Sequence, residues 1–348
     1  MQIEIVTLSG TEREMGRQHG EAFAAGVRAM CEIRRRLILD RTPQHTRQSL
    51  LGLTAEPLAM LQAMLPEVYA EFSGIAEGAG VSESELFVGN GYTDVVDLAA
   101  ASAPRPEECT CFGVTGIGAR DGRNYVGQTW DMHDSALDYV VAFERRPVKG
   151  PKTVTLTTMG CLSLIGMNQA GVAVGNNNLV PVDARPGLMY LSLIHGALAQ
   201  RDAAAAFELI CEAERMSGHH YYMGDAEGGV RAVETTGRRH AELGPDRRGV
   251  YAHANHYVAP ELSGLEMVHP LTGSRAREDR MRALLTERAG DLEAEGLMGL
   301  LADHEGPICR HPRGDGSTCG AVIMSPQERR MWLLKGRPCE GGFVELSL

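Results

Sequence analysis

The feature that most constrains the fold of this chain is a change of character at Cys109. Before this point the sequence favours helices: Thr11 and Glu14 have the spacing of a capping box, and an amphipathic stretch continues to about Leu39. After it, short β-type runs punctuated by Gly, Asp or Asn predominate. The chain therefore combines a mostly helical first segment with a second segment rich in strands.

Strands joined by short turns favour antiparallel pairing over parallel crossover units. Further helices are predicted at Pro57 and after Pro66, at Ser82, at 189–200, at 202–216 with Asp202 as the N-cap, and at 274–287 and 292–303. Strands are predicted at 111–116, 124–130, 139–143, 153–158, 162–167, 172–176, 220–223, 230–234, 250–253, 318–324, 329–334 and 342–346. We therefore expect an α+β fold, a four-layer αββα sandwich of two mainly antiparallel sheets, with helices outside.

No Gly/Ser tract separates the two segments, so we expect one domain over 1–348 in which 1–108 and 109–348 share a core. The net charge is -11 and there is no Lys/Arg run, which argues against a nucleic-acid partner. Neither a signal peptide nor an apolar stretch of about 18 residues is apparent, so no membrane association is expected. The 8 irregularly spaced cysteines favour reduced thiols in the cytoplasm.

Cys109 has the position of a nucleophile that is released by cleavage. If the bond between Glu108 and Cys109 is cut, one residue carries both the thiol and an α-amino group with a pKa near 8, which can accept the thiol proton. The structural alternative is a small buried cysteine at a strand end. The next strand is expected to return through Asp121-Gly122, which brings Asp131 back towards Cys109. Its carboxylate could then orient the amine, although such a residue is more often part of a turn.

A series of short motifs resembles one enzyme family. The chain contains GTEREMGRQHGEAF near its start, Cys-Thr at 109–110, GQTWD at 127–131, GMNQAGVAVGNNN at 166–178, HANHY at 253–257, SRAREDRM at 274–281, ICRHP at 308–312, and then STCGAVIM and KGRPC. In this order they resemble the acyl-coenzyme A:6-aminopenicillanic acid acyltransferase family of N-terminal-nucleophile (Ntn) hydrolases. The bile salt hydrolases and penicillin V acylases are similar at a greater distance.

The resemblance implies a role for each matching residue. Cys109 becomes the nucleophile and Asp131 its orienting carboxylate. Asn255 becomes a donor to the oxyanion, and Asn178 a second one, although Asn176 and Asn177 leave the register open. Arg275 corresponds to an arginine near the thiolate, where a positive charge lowers the thiol pKa.

Arg277 is the alternative to Arg275, and a solvated helix face is the structural alternative for both arginines. Two features depart from the family pattern. Glu108 replaces a glycine before the nucleophile, and glycine eases the strained backbone of an N→S acyl shift. Cys111 lies on the same strand as Cys109, without an assigned role.

The resemblance implies an amidohydrolase or acyltransferase that acts through a Cys109 thioester on a small-molecule N-acyl amide or acyl thioester. Acyl-CoA-dependent N-acyl transfer is the alternative. No cofactor and no metal are expected. The self-cleaved chains are expected to stay associated, and the sequence does not specify whether the protein forms a homo-oligomer.

Two other function classes fit the sequence less well. A metal-dependent hydrolase could use His219 with His220, His253 with His256, or Cys309 with His311, but no pair has H-E-x-x-H or C-x-x-C spacing. A binding module with an inactive site is opposed by the intact set of catalytic residue types.

Overall fold

Two β-sheets packed face to face form the centre of the molecule. The computed structural model describes residues 1–100, 109–267, 273–312 and 316–348. One sheet has eight strands in the order β1-β4-β5-β6-β7-β8-β9-β10, and the other has six in the order β11-β2-β3-β12-β13-β14. The strands are β1 (Ile5–Gly10), β2 (Thr110–Val114), β3 (Tyr125–Met132), β4 (Val140–Pro147), β5 (Thr153–Thr158), β6 (Ile165–Asn168), β7 (Ala173–Leu179), β8 (Gly218–Gly224), β9 (Val230–Thr235), β10 (His240–Leu243), β11 (Val250–His253), β12 (Ser317–Ser325), β13 (Arg330–Lys335) and β14 (Val344–Ser347).

The described residues also form α-helices outside the two sheets. They are α1 (Glu12–Ala22), α2 (Ala24–Arg41), α3 (Arg47–Gly52), α4 (Ala55–Met64), α5 (Pro66–Ala79), α6 (Glu83–Asn90), α7 (Tyr92–Leu98), α8 (Tyr190–Leu198), α9 (Ala203–Glu212), α10 (Pro260–Ser263), α11 (Ser274–Glu287) and α12 (Ala294–Leu301). Short 3-10 turns span Asp134–Tyr139 and Pro338–Glu340. Within the described residues, no helix has both the length and the apolar character needed to cross a membrane.

The layers follow from which elements touch. Helices α11 and α12 pack on the outer face of the six-stranded sheet, and α1, α8 and α9 on that of the eight-stranded sheet, while β2 and β3 of one sheet contact β7 and β8 of the other. Every described strand pair is antiparallel except β1 with β4. The predicted four-layer αββα arrangement is therefore confirmed.

Local sequence signals set several helix ends. Thr11 and Glu14 form the predicted capping box, Asp202 caps α9 and Pro66 is the first residue of α5. Several details differ from the prediction. The amphipathic stretch breaks at Phe23 into α1 and α2, and helix α4 begins at Ala55 before Pro57. Strands β1 and β10 and the short helices α3, α7 and α10 were not predicted.

Helices α1 and α5 approach each other through glycines. A Cβ added at Gly16 or Gly20 on α1 would lie 2.0 Å or 2.4 Å from a carbonyl oxygen of α5. The same addition at Gly74 or Gly78 on α5 would lie 2.4 Å from a carbonyl oxygen of α1. The two backbones therefore pack directly against each other, as small residues allow.

The segment before Cys109 is built into the rest of the molecule. Strand β1 pairs in parallel with β4, so residues 5–10 add an edge to the eight-stranded sheet. Glu71 on α5 forms an ion pair of 2.7 Å with Arg145 on β4, and both side chains are buried. The two segments thus share a sheet and a core.

Candidate active site

Cys109 lies directly before β2, an inner strand of the six-stranded sheet. Its side chain is only 4% exposed. Strand β2 pairs with β3 so that Thr110 is opposite Thr129, which brings the following part of β3 beside Cys109. The Cys109 Sγ atom lies 4.0 Å from the backbone oxygen of Asp131. Glu108, the other residue of the predicted cleavage site, lies outside the described residues.

The carboxylate of Asp131 is fully buried and is held by the neighbouring strand. Thr318 on β12 is paired in register with Asp131, and its hydroxyl donates to Asp131 Oδ1 at 2.7 Å. The hairpin therefore returns Asp131 towards Cys109 as predicted, although residues 115–124 form a longer connection than a tight turn at Asp121-Gly122. Thr318 belongs to the STCGAVIM motif. Its position opposite Asp131 depends on how the strands pair, which the motif does not specify.

Arginine 277 occupies the position that Arg275 was expected to fill. Arg277 on α11 is fully buried; its Nη1 donates to the Cys109 carbonyl oxygen at 3.0 Å and to Thr110 Oγ1 at 3.3 Å. Arg275, two residues earlier, is exposed. The structure therefore brings the alternative arginine, and not the first choice, to Cys109.

Asn255 is fixed from both ends of its amide. Its Oδ1 accepts from both terminal nitrogens of Arg277 at 3.4 Å and 3.2 Å, and its Nδ2 donates to the backbone oxygen of Asn178 at 3.0 Å. Its backbone N–H donates to the Ser274 hydroxyl at 2.8 Å. Because the arginine binds the amide oxygen, the amide nitrogen of Asn255 points the other way. A side-chain amide that acts as a hydrogen-bond donor needs its nitrogen in such an orientation.

The three consecutive asparagines of β7 divide between two environments. Asn176 and Asn178 both line the small cavity that also contains Cys109. Asn177 instead places its Oδ1 2.9 Å from Nδ1 of His220. Asn176 and Asn178 are one position apart on either side of Asn177, so both can face the cavity. Of the three asparagines, only these two remain candidates for the second oxyanion donor.

The cavity beside Cys109 is small and has an apolar side. Its volume of about 20 Å³ suffices for roughly one water molecule. Its lining comprises Thr93, Cys109, Trp130, Met132, Leu164, Asn176, Asn178, Tyr190 and His219. Burial raises the pKa of Tyr190, so its hydroxyl stays protonated at neutral pH. An acyl group can enter this space only if lining side chains move.

Cys111 and the paired histidines have other partners. Burial raises the pKa of Cys111 well above its usual range, which disfavours a thiolate there. Its Sγ lies 3.8 Å from Nδ1 of His220, whose Nε2 contacts the hydroxyl of Tyr251 at 2.8 Å. His219 hydrogen-bonds to Asp94 at 2.8 Å, and His253 to Glu234 at 2.7 Å. These contacts give the histidines structural partners in the core.

Comparisons with known proteins agree with this architecture. A model of the family described as acyl-coenzyme A:6-aminopenicillanic acid acyl-transferase matches residues 119–340, more than half of the chain. Over 341 residues the chain is 26% identical to the acyl-coenzyme A:6-aminopenicillanic-acid-acyltransferase 40 kDa form of Emericella nidulans, covering 96% of this chain and 92% of the relative.

Two solved structures are similar at low sequence identity. A variant of conjugated bile acid hydrolase from Clostridium perfringens matches with a TM-score of 0.50 and 13% identity, over 68% of this chain and 92% of that one. Penicillin V acylase from Agrobacterium tumefaciens matches with a TM-score of 0.46 and 14% identity, over 65% of this chain and 83% of that one. The match to the bile acid hydrolase variant indicates a similar fold.

Proposed function

The chain belongs to the acyl-coenzyme A:6-aminopenicillanic acid acyl-transferase family of Ntn enzymes, which hydrolyse or transfer acyl groups, and we propose that it does so through a thioester on Cys109 after cleaving its own chain. The proposal rests above all on one observation. Five residues lie close together although they come from separate elements: Cys109 directly before β2, Asp131 on β3, Asn178 on β7, Asn255 after β11 and Arg277 on α11.

Maturation begins with attack of the Cys109 thiol on the carbonyl carbon of Glu108. The amide bond is replaced by a thioester, and the nitrogen leaves as the free α-amino group of Cys109. Water then hydrolyses the thioester, which gives a carboxylate on Glu108 and regenerates the thiol. The products are the segments 1–108 and 109–348, joined by the shared sheet and core.

In the matured enzyme the α-amino group of Cys109 accepts the thiol proton. We assign Asp131 to stabilise the resulting ammonium. The support is that the backbone oxygen of Asp131 lies 4.0 Å from Cys109 Sγ. The thiolate attacks the acyl carbonyl carbon of a small N-acyl amide or acyl thioester. The ammonium returns its proton to the leaving amine or thiol, and the acyl group remains on Cys109.

Two asparagines and one arginine are proposed to stabilise the negative charge that develops during this attack. Asn255 and Asn178 are the proposed donors to the oxyanion, and a donor of this kind contributes about 10²–10³ in rate. Arg277 holds the Asn255 oxygen and the Cys109 carbonyl, so it orients the donor and keeps a positive charge beside the nucleophile.

Water or an amine can release the acyl group. We propose amide hydrolysis as the main outcome, because water needs no second binding site. Acyl transfer from a thioester such as acyl-CoA to an amine is the second candidate, and the family description favours it. Assays of N-acyl amines and acyl thioesters, with and without an amine acceptor, separate the two.

The test compares two cysteines that are two residues apart, Cys109 directly before β2 and Cys111 on it. Freshly purified wild-type protein should show the intact masses of segments 1–108 and 109–348, and an N-acyl substrate or thioester should leave an adduct on Cys109. Cys109→Ala should abolish processing, adduct and turnover, whereas Cys111→Ala, which removes a buried protonated thiol, should retain all three. An uncut wild-type chain with full activity would refute the cleavage, and activity that resists iodoacetamide but is lost with a chelator would favour a metal-dependent hydrolase.

A further inference from the structure

Four side chains near the C-terminus, none of them assigned to the candidate active site, converge at one point. They are His304, after α12, Cys309 and His311, before β12, and Cys339, in the turn after β13. Their nitrogen and sulfur atoms all lie within 4.8 Å of one another. We call these four residues the Cys2His2 cluster. Cys309 is buried, and the other three are exposed at the surface.

Three of the six distances within the Cys2His2 cluster are close to those between ligands of one tetrahedral ion. The two sulfurs are 3.5 Å apart, the two Nε2 atoms are 3.2 Å apart, and Cys339 Sγ lies 3.3 Å from His311 Nε2. Zinc–sulfur bonds of about 2.3 Å and zinc–nitrogen bonds of about 2.0–2.1 Å place such pairs about 3.8 Å, 3.3–3.4 Å and 3.5 Å apart. The observed spacings lie close to these values for all three kinds of pair.

The imidazoles are also oriented for a shared ligand. Their planes meet at 53°, with centroids 5.1 Å apart, so the rings are not stacked. They approach instead through their Nε2 atoms. Two neutral imidazole nitrogens facing each other at this distance repel unless a proton or a cation lies between them. Together with two sulfurs at the same point, this donor set is one that zinc prefers.

The loop that carries three of the ligands is held in place by its own hydrogen bonds. The backbone oxygen of Asp303 accepts from Cys309 N–H at 2.9 Å, and its carboxylate accepts from Gly306 N–H at 2.9 Å and from Arg280 at 2.7 Å. Arg310 pairs through its backbone with Thr318 at 2.9 Å and 3.0 Å. The ligands are thus preorganised by contacts that do not involve one another, as a built site requires.

We propose that His304, Cys309, His311 and Cys339 bind one Zn²⁺ in a closed, structural site. Four protein ligands leave no open position for water or substrate, which distinguishes a structural zinc from a catalytic one. The ion would cross-link the loop before β12 to the turn after β13. This differs from the expectation, drawn from the sequence, that the chain binds no metal.

The site has an indirect connection to Asp131. Arg310 lies between two of the ligands and pairs with Thr318, whose hydroxyl donates to the Asp131 carboxylate. Zinc at the Cys2His2 cluster therefore anchors the strand start from which Asp131 is held. The chemistry at Cys109 does not use the ion, so the proposal stands independently of the proposed function.

The test measures metal content and stability of the untagged, full-length protein under reducing conditions. Elemental analysis should give about one zinc per chain. After zinc removal, added Zn²⁺ should raise the Tm by several degrees, and added Co²⁺ should give the visible spectrum of a tetrahedral ion with thiolate ligands. His304→Ala and Cys339→Ser, at exposed positions, should lose the metal and the Zn²⁺-dependent rise in Tm.

Matched controls and a chemical alternative complete the test. His240→Ala, at an exposed position, and Cys211→Ser, at a buried one, alter the same residue types outside the Cys2His2 cluster. Both should keep the wild-type zinc content and the Zn²⁺-dependent rise in Tm. A metal-free wild type whose Tm ignores Zn²⁺, or ligand variants that keep their zinc, would overturn the proposal. A Cys309–Cys339 disulfide, seen as the loss of two hydrogens in the non-reduced protein and the absence of zinc under reducing conditions, would also overturn it.

Discussion

The guanidinium of Arg277 connects three parts of the candidate site. It donates to the carbonyl of Cys109, to the hydroxyl of Thr110 and to the amide oxygen of Asn255. The planar fork of arginine donors allows this, and a lysine at the same position could satisfy fewer of these acceptors. Because its hydrogen bonds go to the nucleophile's backbone and to the Asn255 amide, we regard Arg277 as a positioning residue.

A pair of substitutions on α11 tests this role. Arg277→Lys should lower kcat by about 10²-fold, with KM nearly unchanged, because Asn255 loses its orientation as an oxyanion donor. Arg275→Lys changes an exposed side chain and should leave both constants within about two-fold. Steady-state kinetics and the extent of processing provide the measurement, and circular dichroism checks folding. Equal effects of the two substitutions would contradict the assignment.

The choice between these two arginines shows where sequence reasoning ends at the scale of single residues. The motif predicted an arginine at the start of this helix near the nucleophile. Residues two apart on an α-helix point about 200° away from each other, so only one of the pair can face the sheet. The rotation of the helix is set by its packing on β11 and β2, which no local pattern in SRAREDRM specifies.

At the scale of elements, the contact between α1 and α5 depends on the absence of side chains. Gly16 and Gly20 face the α5 backbone, and Gly74 and Gly78 face the α1 backbone, with carbonyl oxygens 2.0–2.4 Å from any added Cβ. Neither backbone can yield without moving its whole helix, and α1 is itself packed against β1 and β4. Overpacking of this kind should be felt across the layer.

Gly74→Ala should therefore lower the free energy of unfolding by about 3 kcal/mol or more. The matched control is Gly52→Ala on α3, where an added Cβ meets nothing within 4 Å. There the better helix propensity of alanine should leave stability unchanged or raise it by up to about 1 kcal/mol. Urea titration of both variants gives the comparison. If Gly74→Ala proved as harmless as Gly52→Ala, the close approach of the helices would be refuted.

Elements with strong local signals were predictable, and their long-range partners were not. Thr11, Pro66 and Asp202 mark helix starts through hydrogen bonds and backbone angles confined to a few residues. Strand β1 lacks such a signal, since its pairing with β4 joins positions far apart in the chain. Of the Cys2His2 cluster, the sequence suggested only Cys309 with His311 as possible ligands. His304 and Cys339 complete no recognised ligand spacing, and Cys339 joins the others only through the fold.

At the scale of the whole molecule, several buried histidines make stability depend on pH. Burial lowers the pKa of His19 to about 3, an effect that Arg145 reinforces and Glu71 opposes. It also lowers the pKa of His133 to about 3 and that of His256 to about 4. In the unfolded chain a histidine has a pKa of about 6.5. The unfolded state therefore binds more protons below this pH, and stability falls as the pH decreases.

Each such histidine should remove about 1.4 kcal/mol of stability between roughly pH 7.5 and 5.5. Replacing one should flatten the profile: His19→Gln, whose amide oxygen can accept the Gly160 N–H that His19 Nε2 accepts at 2.8 Å, should reduce the loss by about that amount. His240→Gln, on an exposed side chain, should leave the loss unchanged. Urea unfolding at both pH values measures this. Identical pH dependence of wild type and His19→Gln would contradict it.

The parallel pairing of β1 with β4 changes the molecularity of folding once the chain is cut as proposed. In the precursor, segment 1–108 reaches its sheet edge at the effective concentration that a covalent tether supplies. In the matured enzyme the same edge must be found by a separate polypeptide, so recovery from denaturation becomes a second-order reaction. The peptide bond before Cys109 thus assists folding only in the precursor. Afterwards the lifetime of the enzyme is governed by how slowly its two polypeptides separate.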